Sequence, residues 1–183
     1  EGQFRSLQSQ LNPHFLFNSF NVLSSLINEN PRKAERFVDE LSNVYRYLLK
    51  SNEQELATLR DELRFVKSYF HLLETRHDQS IALHIDIPDD FYNYKLPALS
   101  LQVLIENAVK HNEISPDKPL SIELRVQSLF LIVRNNVQPK NSKAISNQVG
   151  LDNLRERYYL LNQDGFEVRR SANVFEVVLP LIQ

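Results

Sequence analysis

The 183-residue chain contains no cysteine, no methionine and no tryptophan, and only three glycines. Without cysteine there can be neither a disulfide nor a thiolate zinc site, which fits a reducing compartment. A chain that begins at Glu1 and holds no Met reads as a piece of a longer one. No apolar run approaches the roughly 20 residues that cross a bilayer, and no signal peptide precedes the first charged residues. Any membrane attachment is therefore expected from segments outside this chain. The formal charge of -2, from 21 Lys and Arg against 23 Asp and Glu, lacks the basic footprint of a nucleic-acid binder, although a local patch stays open. Direct nucleic-acid binding is not expected. What is present, 42% hydrophobic and 24% charged residues, is ordinary globular composition for one domain or two small ones.

The chain is organised around Gln8 to Leu26, QSQLNPHFLFNSFNVLSSL. If Asn12 to Leu26 is helical, Gln10, His14, Asn18, Asn21 and Ser25 share one face, while Leu16, Phe20, Leu23 and Ile27 form an apolar seam beside it. Phe17 intrudes on the polar strip. Pro13 cannot donate back to Ser9, so the helix either kinks there or starts afresh with Asn12 as its N-cap. Both versions leave His14 in an accessible turn.

Asn30-Pro31 reads as a stop and restart, which makes a helical hairpin. The second helix carries a wide apolar stripe: Ala34, Phe37, Val38, Leu41, Val44, Tyr45, Leu48 and Leu49. Two helices of this length bury too little to stand alone, so a second copy completing a four-helix bundle is expected. Ser51 to Glu55 is a polar break and the expected domain boundary, dividing residues 1–53 from 54–183. Thr58 with Asp61 resembles a capping box for a helix running to about His77. Alternating Ile81, Leu83, Ile85 and Ile87 predict a strand, followed by a helix from about Ala98 to Asn112. Strands are predicted at Ile122 to Val126, Leu129 to Val133, Phe166 to Arg170 and Val174 to Leu181, with a helix from Leu151 to Leu161 between the pairs. The fold class is thus α+β, a helical hairpin followed by a mostly antiparallel sheet with helices over it.

On the helix ending at Asn112, Asn107 and His111 lie four apart with Lys110 beside them, a face that suits phosphates and a divalent ion. The same helix can equally present a solvated face closed by a Glu106–Lys110 pair. The polar segment Val137 to Val149 meets Gly150 just before a helix, where backbone donors and the helix dipole favour a phosphate, and Arg155 and Arg157 add charge nearby. An ordinary surface loop fits that segment as well. Asn135-Asn136 can contact a base edge or form a turn.

Taken together, QLNPHFLFNSFNVL, LQVLIENAVKHN and VGLDNLRERY resemble, in order, the phosphoacceptor box, the N box and the end of the glycine-rich region of sensor histidine kinases of the LytS type. The resemblance implies a dimerisation and phosphotransfer hairpin followed by an ATP-binding domain of the GHKL superfamily. His14 would receive the γ-phosphoryl group of ATP. Asn107 would hold Mg²⁺, Lys110 and His111 would approach the phosphates, and Asn135 would face adenine. Gly150, Leu151 and Asn153 would close a lid, with Arg155 close by. The implied partners are a second copy of the chain and a response regulator with a receiver domain, often of the LytTR type. The implied setting is the cytoplasmic part of a bacterial membrane sensor. An imidazole, with an ordinary pKa of about 6.5, has the lone pair such chemistry needs.

Two departures stand out against that family. Phe15, not an acidic residue, follows His14, as is usual in this type, so no general base is named. Asn135-Asn136-Val137 stands where Asp-x-Gly is typical, which implies weaker adenine discrimination. The alternative is a degenerate kinase serving as a dimeric scaffold or nucleotide sensor. A GHKL ATPase without a phosphohistidine step would need a Glu at the position of Val103.

Overall fold

The computed structural model describes residues 12–51, 53–140 and 149–183. Gln8 and Gln10, and Gln148 ahead of Gly150, lie outside them. Helix α1 (Pro13–Glu29) begins with Pro13 at its first turn, and Asn12 Oδ1 accepts from the Phe15 N–H at 3.3 Å. The fresh-start version therefore holds for the described residues. Asn30 ends α1 through its own N–H to the Leu26 carbonyl at 2.8 Å. Its side chain then accepts from Lys33 N at 3.3 Å, opening α2 (Pro31–Ser51). One Asn thus serves both ends of the turn, and two helices run back on each other.

The apolar seam expected on α1 is turned from its predicted direction. The partly buried residues packed on the core include Phe15, Val22, Leu23 and Leu26, and Ser19 is buried, whereas Phe20 and Ile27 are more than half exposed. The tertiary neighbour selects which of two adjacent apolar ridges faces inward. The stripe on α2 divides likewise: Phe37, Leu41, Val44 and Leu48 are buried, while Val38 and Leu49 stay exposed.

Strand β1 (Leu56–Thr58) leads into α3 (Leu59–Arg76), capped by Thr58 Oγ1 accepting from Asp61 N at 3.2 Å. Then follow β2 (Ile81–Asp86), a single 3-10 turn (Asp89–Phe91), β3 (Lys95–Pro97) and α4 (Ser100–His111). The chain continues with β4 (Leu120–Gln127), β5 (Phe130–Asn136), α5 (Val149–Leu160), β6 (Glu167–Arg170) and β7 (Val174–Pro180). The main sheet has the order β2-β4-β5-β7-β6; β2 and β4 run parallel and the other pairs antiparallel. This mixed α+β architecture with a mostly antiparallel sheet agrees with the sequence reading.

The small antiparallel pair β1–β3 was not foreseen, because three-residue strands carry too little alternation to register. Gly150 lies inside the first turn of α5, not ahead of it, a shift within the ordinary uncertainty of helix ends.

One hydrophobic core joins the hairpin to the rest. Phe37 and Val44 of α2, Val66 and Phe70 of α3, Leu101 and Ile105 of α4, Leu154 of α5 and Leu124, Leu131 and Leu179 of the sheet belong to it. Phe37, 1% exposed, contributes on the order of 2–3 kcal/mol by area. A ladder of rings, Phe15–Tyr69, Tyr69–Phe65 and Phe65–Tyr47, at centroid separations of 5.4, 5.6 and 4.9 Å, ties α1, α3 and α2 together. Glu62, fully buried on α3, completes the joint. Its carboxylate accepts from the backbone N–H groups of Leu99 (3.3 Å) and Leu101 (3.4 Å) at the start of α4 and from the Tyr47 hydroxyl of α2.

Candidate active site

Helix α4 separates two clefts. The larger, about 840 Å³, lies where α1 meets α3 and α4, and is lined by His14, Tyr69, Arg76, Glu106, Lys110 and Lys140 among others. The smaller, about 260 Å³, lies between α4, the start of α5 and the ends of β5 and β7, and is lined by Asn107, His111, Asn135, Leu151, Arg170 and Phe175 among others. Asn112 lines both, so the clefts adjoin at the C-terminal end of α4.

His14 is exposed, in the first turn of α1, with its Nδ1 3.3 Å from the Asn18 side-chain amide one turn on. The turn is anchored from below: Asn12 Nδ2 donates to Glu106 Oε1 at 3.4 Å. Burial holds the Glu106 carboxyl above its ordinary range, and Lys110 draws it partly back. The Glu106–Lys110 proximity weighed from sequence is thus present as a field. Among the described residues it closes no ion pair.

Three residues placed on one face by the sequence reading divide between the two clefts. Asn107 and His111 face the smaller cleft, whereas Lys110 faces the larger one with His14. The 100° step of a helix explains this, since neighbours in sequence point to different sides. Asn135 is 6% exposed; its Nδ2 donates to the Asn136 carbonyl at 2.8 Å, which leaves its oxygen as the acceptor available to the cleft. Asn136 is structural, accepting from Ser121 N at 2.7 Å and donating to the Pro119 carbonyl at 3.1 Å.

Leu151 is buried at the cleft wall, and Gly150 lies against Val103, where an added Cβ would come 3.2 Å from Val103 Cγ1. Asn153 is exposed and lines neither cleft. Arg155 lines a separate cavity of about 310 Å³ with Asp152, Val168 and Arg170, its guanidinium 5.6 Å from the Phe166 ring. Arg157 is structural, donating to the carbonyls of Ala98 at 2.7 Å and Glu55 at 3.1 Å.

Sequence reasoning missed Arg170, Lys140 and Asn112 as site residues. Burial lowers the pKa of His111, and Lys110, Lys140 and Arg170 lower it further. A positive field therefore gathers at the end of α4, where the helix dipole alone would repel an anion. Asn112 fixes that end, donating to the Ala108 carbonyl at 2.8 Å and accepting from Gln138 N at 2.6 Å. Asn112 closes the N-box stretch and so was within reach of the sequence. Arg170 is brought in by the β6–β7 pairing and Lys140 by the isolated bridge between Asn112 and Pro139, which no local pattern announces.

Residues 2–81 match the family described as Histidine kinase. The chain is 31% identical to the sensor histidine kinase YpdA of Escherichia coli over 93% of its own length and 32% of that protein's. It is 37% identical to the sensor histidine kinase/phosphatase LytS of Staphylococcus aureus over 61% of the chain and 19% of that protein. A solved structure titled a bacterial phosphotransferase shares the fold, with a TM-score of 0.52 at 8% identity, covering 97% of this chain and 95% of that one. The chain is thus similar to sensor histidine kinases, with the family match confined to residues 2–81. The likeness extends to the LytS type at 37% identity, and the chain spans about a third or less of the curated relatives it matches.

Proposed function

We propose that this chain is the core of a two-component sensor kinase that transfers the γ-phosphoryl group of ATP to His14 and then to an Asp of a response regulator. The observation that carries this reading is the exposed His14 sharing a cleft with Lys110 and Lys140, next to a second cleft walled by Asn107, His111 and Asn135. A volume of about 260 Å³ lies just below the roughly 300–1,000 Å³ of whole small-molecule sites. It suits a base and ribose, with the phosphates extending toward His111 and Arg170. The Asn135 oxygen accepts from the adenine amino group. Gly150 and Leu151 border the nucleotide from the start of α5, whose first turn offers backbone donors.

Among the described residues no group of three or more His, Asp or Glu could cage a metal. Mg²⁺ that arrives with phosphates needs only one or two protein oxygens, and the Asn107 side-chain oxygen supplies one. The ion neutralises charge on the phosphates when bound. The protein's own part is positioning: an imidazole nitrogen attacks phosphorus as the bond to the departing ADP oxygen breaks, while Lys110 and Lys140 offset the anionic charge. Residues 1–53 act as the dimerisation and phosphotransfer hairpin and 54–183 as the ATP-binding domain.

The exposed ridge of Phe17, Phe20 and Ile27 on α1 with Val38 and Leu49 on α2 is the face a second copy covers. The regulator carries a receiver domain and in this family is often of the LytTR type, and membrane attachment lies in segments outside the chain. Incubation with γ-labelled ATP and Mg²⁺ tests the proposal. Acid-labile label on the wild type and none on His14→Ala is expected, and label persisting on the variant refutes the assignment.

A further inference from the structure

The net charge of -2 conceals a concentrated positive groove on the face between α2 and α3, away from both clefts. It encloses about 520 Å³ and is lined by Arg46, Lys50, Arg64 and Lys67, with Asp61 as its one carboxylate. Arg46 and Lys50 are one turn apart on α2, and Arg64 and Lys67 are one turn apart on α3, so the helix period aims all four into the same channel. Among the described residues none of the four forms an ion pair within 4.0 Å, although Glu and Asp outnumber Lys and Arg in the chain. Like charges so close repel one another at similar cost per pair to that gained by opposite charges. The groove thus gathers four exposed cations around one carboxylate, an excess of positive charge that an anion entering it would offset.

We propose that this groove is a binding site for a small anion carrying two or more phosphoryl groups. The chemistry selects that class. A guanidinium offers a planar fork that meets phosphoryl oxygens two at a time, and an ammonium adds a mobile point charge. The Asn43 amide and Ser68 hydroxyl supply neutral donors at the same groove. Two forks on facing helices match two phosphoryl groups better than one. The volume of this open groove lies inside the small-molecule range.

Occupancy is coupled to the rest of the protein. Tyr47 lines the groove, stacks on Phe65 at 4.9 Å and gives its hydroxyl hydrogen bond to Glu62, which holds the first backbone N–H groups of α4. An anion drawing the two helices together acts directly on that joint.

Calorimetric titration of the chain with inorganic pyrophosphate, without Mg²⁺ or nucleotide, tests the site. One saturable event is expected, weakened about tenfold or more in Arg46→Ala and in Arg64→Ala, since each loses about one charge-assisted bond. Sulfate at matched ionic strength is expected to bind far more weakly, and added salt to weaken pyrophosphate. Asn107→Ala, which alters the other cleft, is expected to leave the event in place. Absence of saturable binding, an unchanged event in both Arg variants, or an event lost in Asn107→Ala alone would each overturn the proposal. Both arginines are exposed on helix surfaces, where Ala preserves folding.

Discussion

Glu62 offers the sharpest single perturbation, because one carboxylate holds three donors from two different helices. Replacing it by Ala leaves the N–H groups of Leu99 and Leu101 without their acceptor in a region where Glu62 itself is fully buried, and frees the Tyr47 hydroxyl. An unsatisfied buried backbone group costs about 1–3 kcal/mol, and truncation also removes two packed side-chain groups. The loss expected for Glu62→Ala is therefore about 3–5 kcal/mol, a large share of a domain's roughly 5–15 kcal/mol. Glu62→Gln keeps one acceptor oxygen and should cost about half as much.

The pH dependence has a definite sign. Burial raises the Glu62 carboxyl above its ordinary value of 4.5, with the Tyr47, Leu101 and Leu99 hydrogen bonds and the Arg157 charge opposing. The folded state then holds the proton more tightly than the unfolded chain, so the carboxylate's cost is absent below 4.5 and grows as pH rises toward the raised folded value. Urea unfolding followed by far-UV circular dichroism, repeated across that range, is the assay. A loss under about 1 kcal/mol in Glu62→Ala, or an identical pH slope in wild type and Glu62→Gln, would refute the reasoning.

The remaining expectations concern other parts of the fold. Phe20→Asp should dissociate the proposed dimer in sedimentation while far-UV circular dichroism stays unchanged. Leu41→Asp, in the intrachain core and only 8% exposed, should instead unfold the hairpin at a cost of several kcal/mol. Gly165→Ala should cost about 2 kcal/mol in urea unfolding, since residue 165 has φ +111 and an added Cβ would come 2.7 Å from Phe130 Cε1. His77 and His111 have lowered pKa values, chiefly through burial, so they contribute stability that is full above 6.5 and is lost as pH falls through their lowered folded values. His77→Gln should flatten the unfolding-midpoint profile below pH 6.5, and an unchanged profile would count against burial as the cause.

Periodicity and capping made most of the elements legible. Asn30-Pro31, Thr58 with Asp61 and the alternation Ile81, Leu83, Ile85 are local signals, and local signals act through the chain's own geometry. Asn107 and His111 were legible as a pair for the same reason, being one helical turn apart. The pairing β1–β3, the parallel β2–β4 contact and the inclusion of Lys140 and Arg170 in the site depend on segments far apart in sequence.

Taken alone, the order of residues determined where the helices and the strands of the main sheet form, that the helices carry apolar ridges, and that His14 sits in an accessible turn. Tertiary packing decided the remainder. It chose which apolar ridge of α1 turns inward, set Lys110 and Asn107 along different clefts, and gathered Arg46, Lys50, Arg64 and Lys67 into one groove. The reason is physical: a helix fixes only the angles between its own side chains, and the direction those angles point is set by the neighbour whose surface it buries.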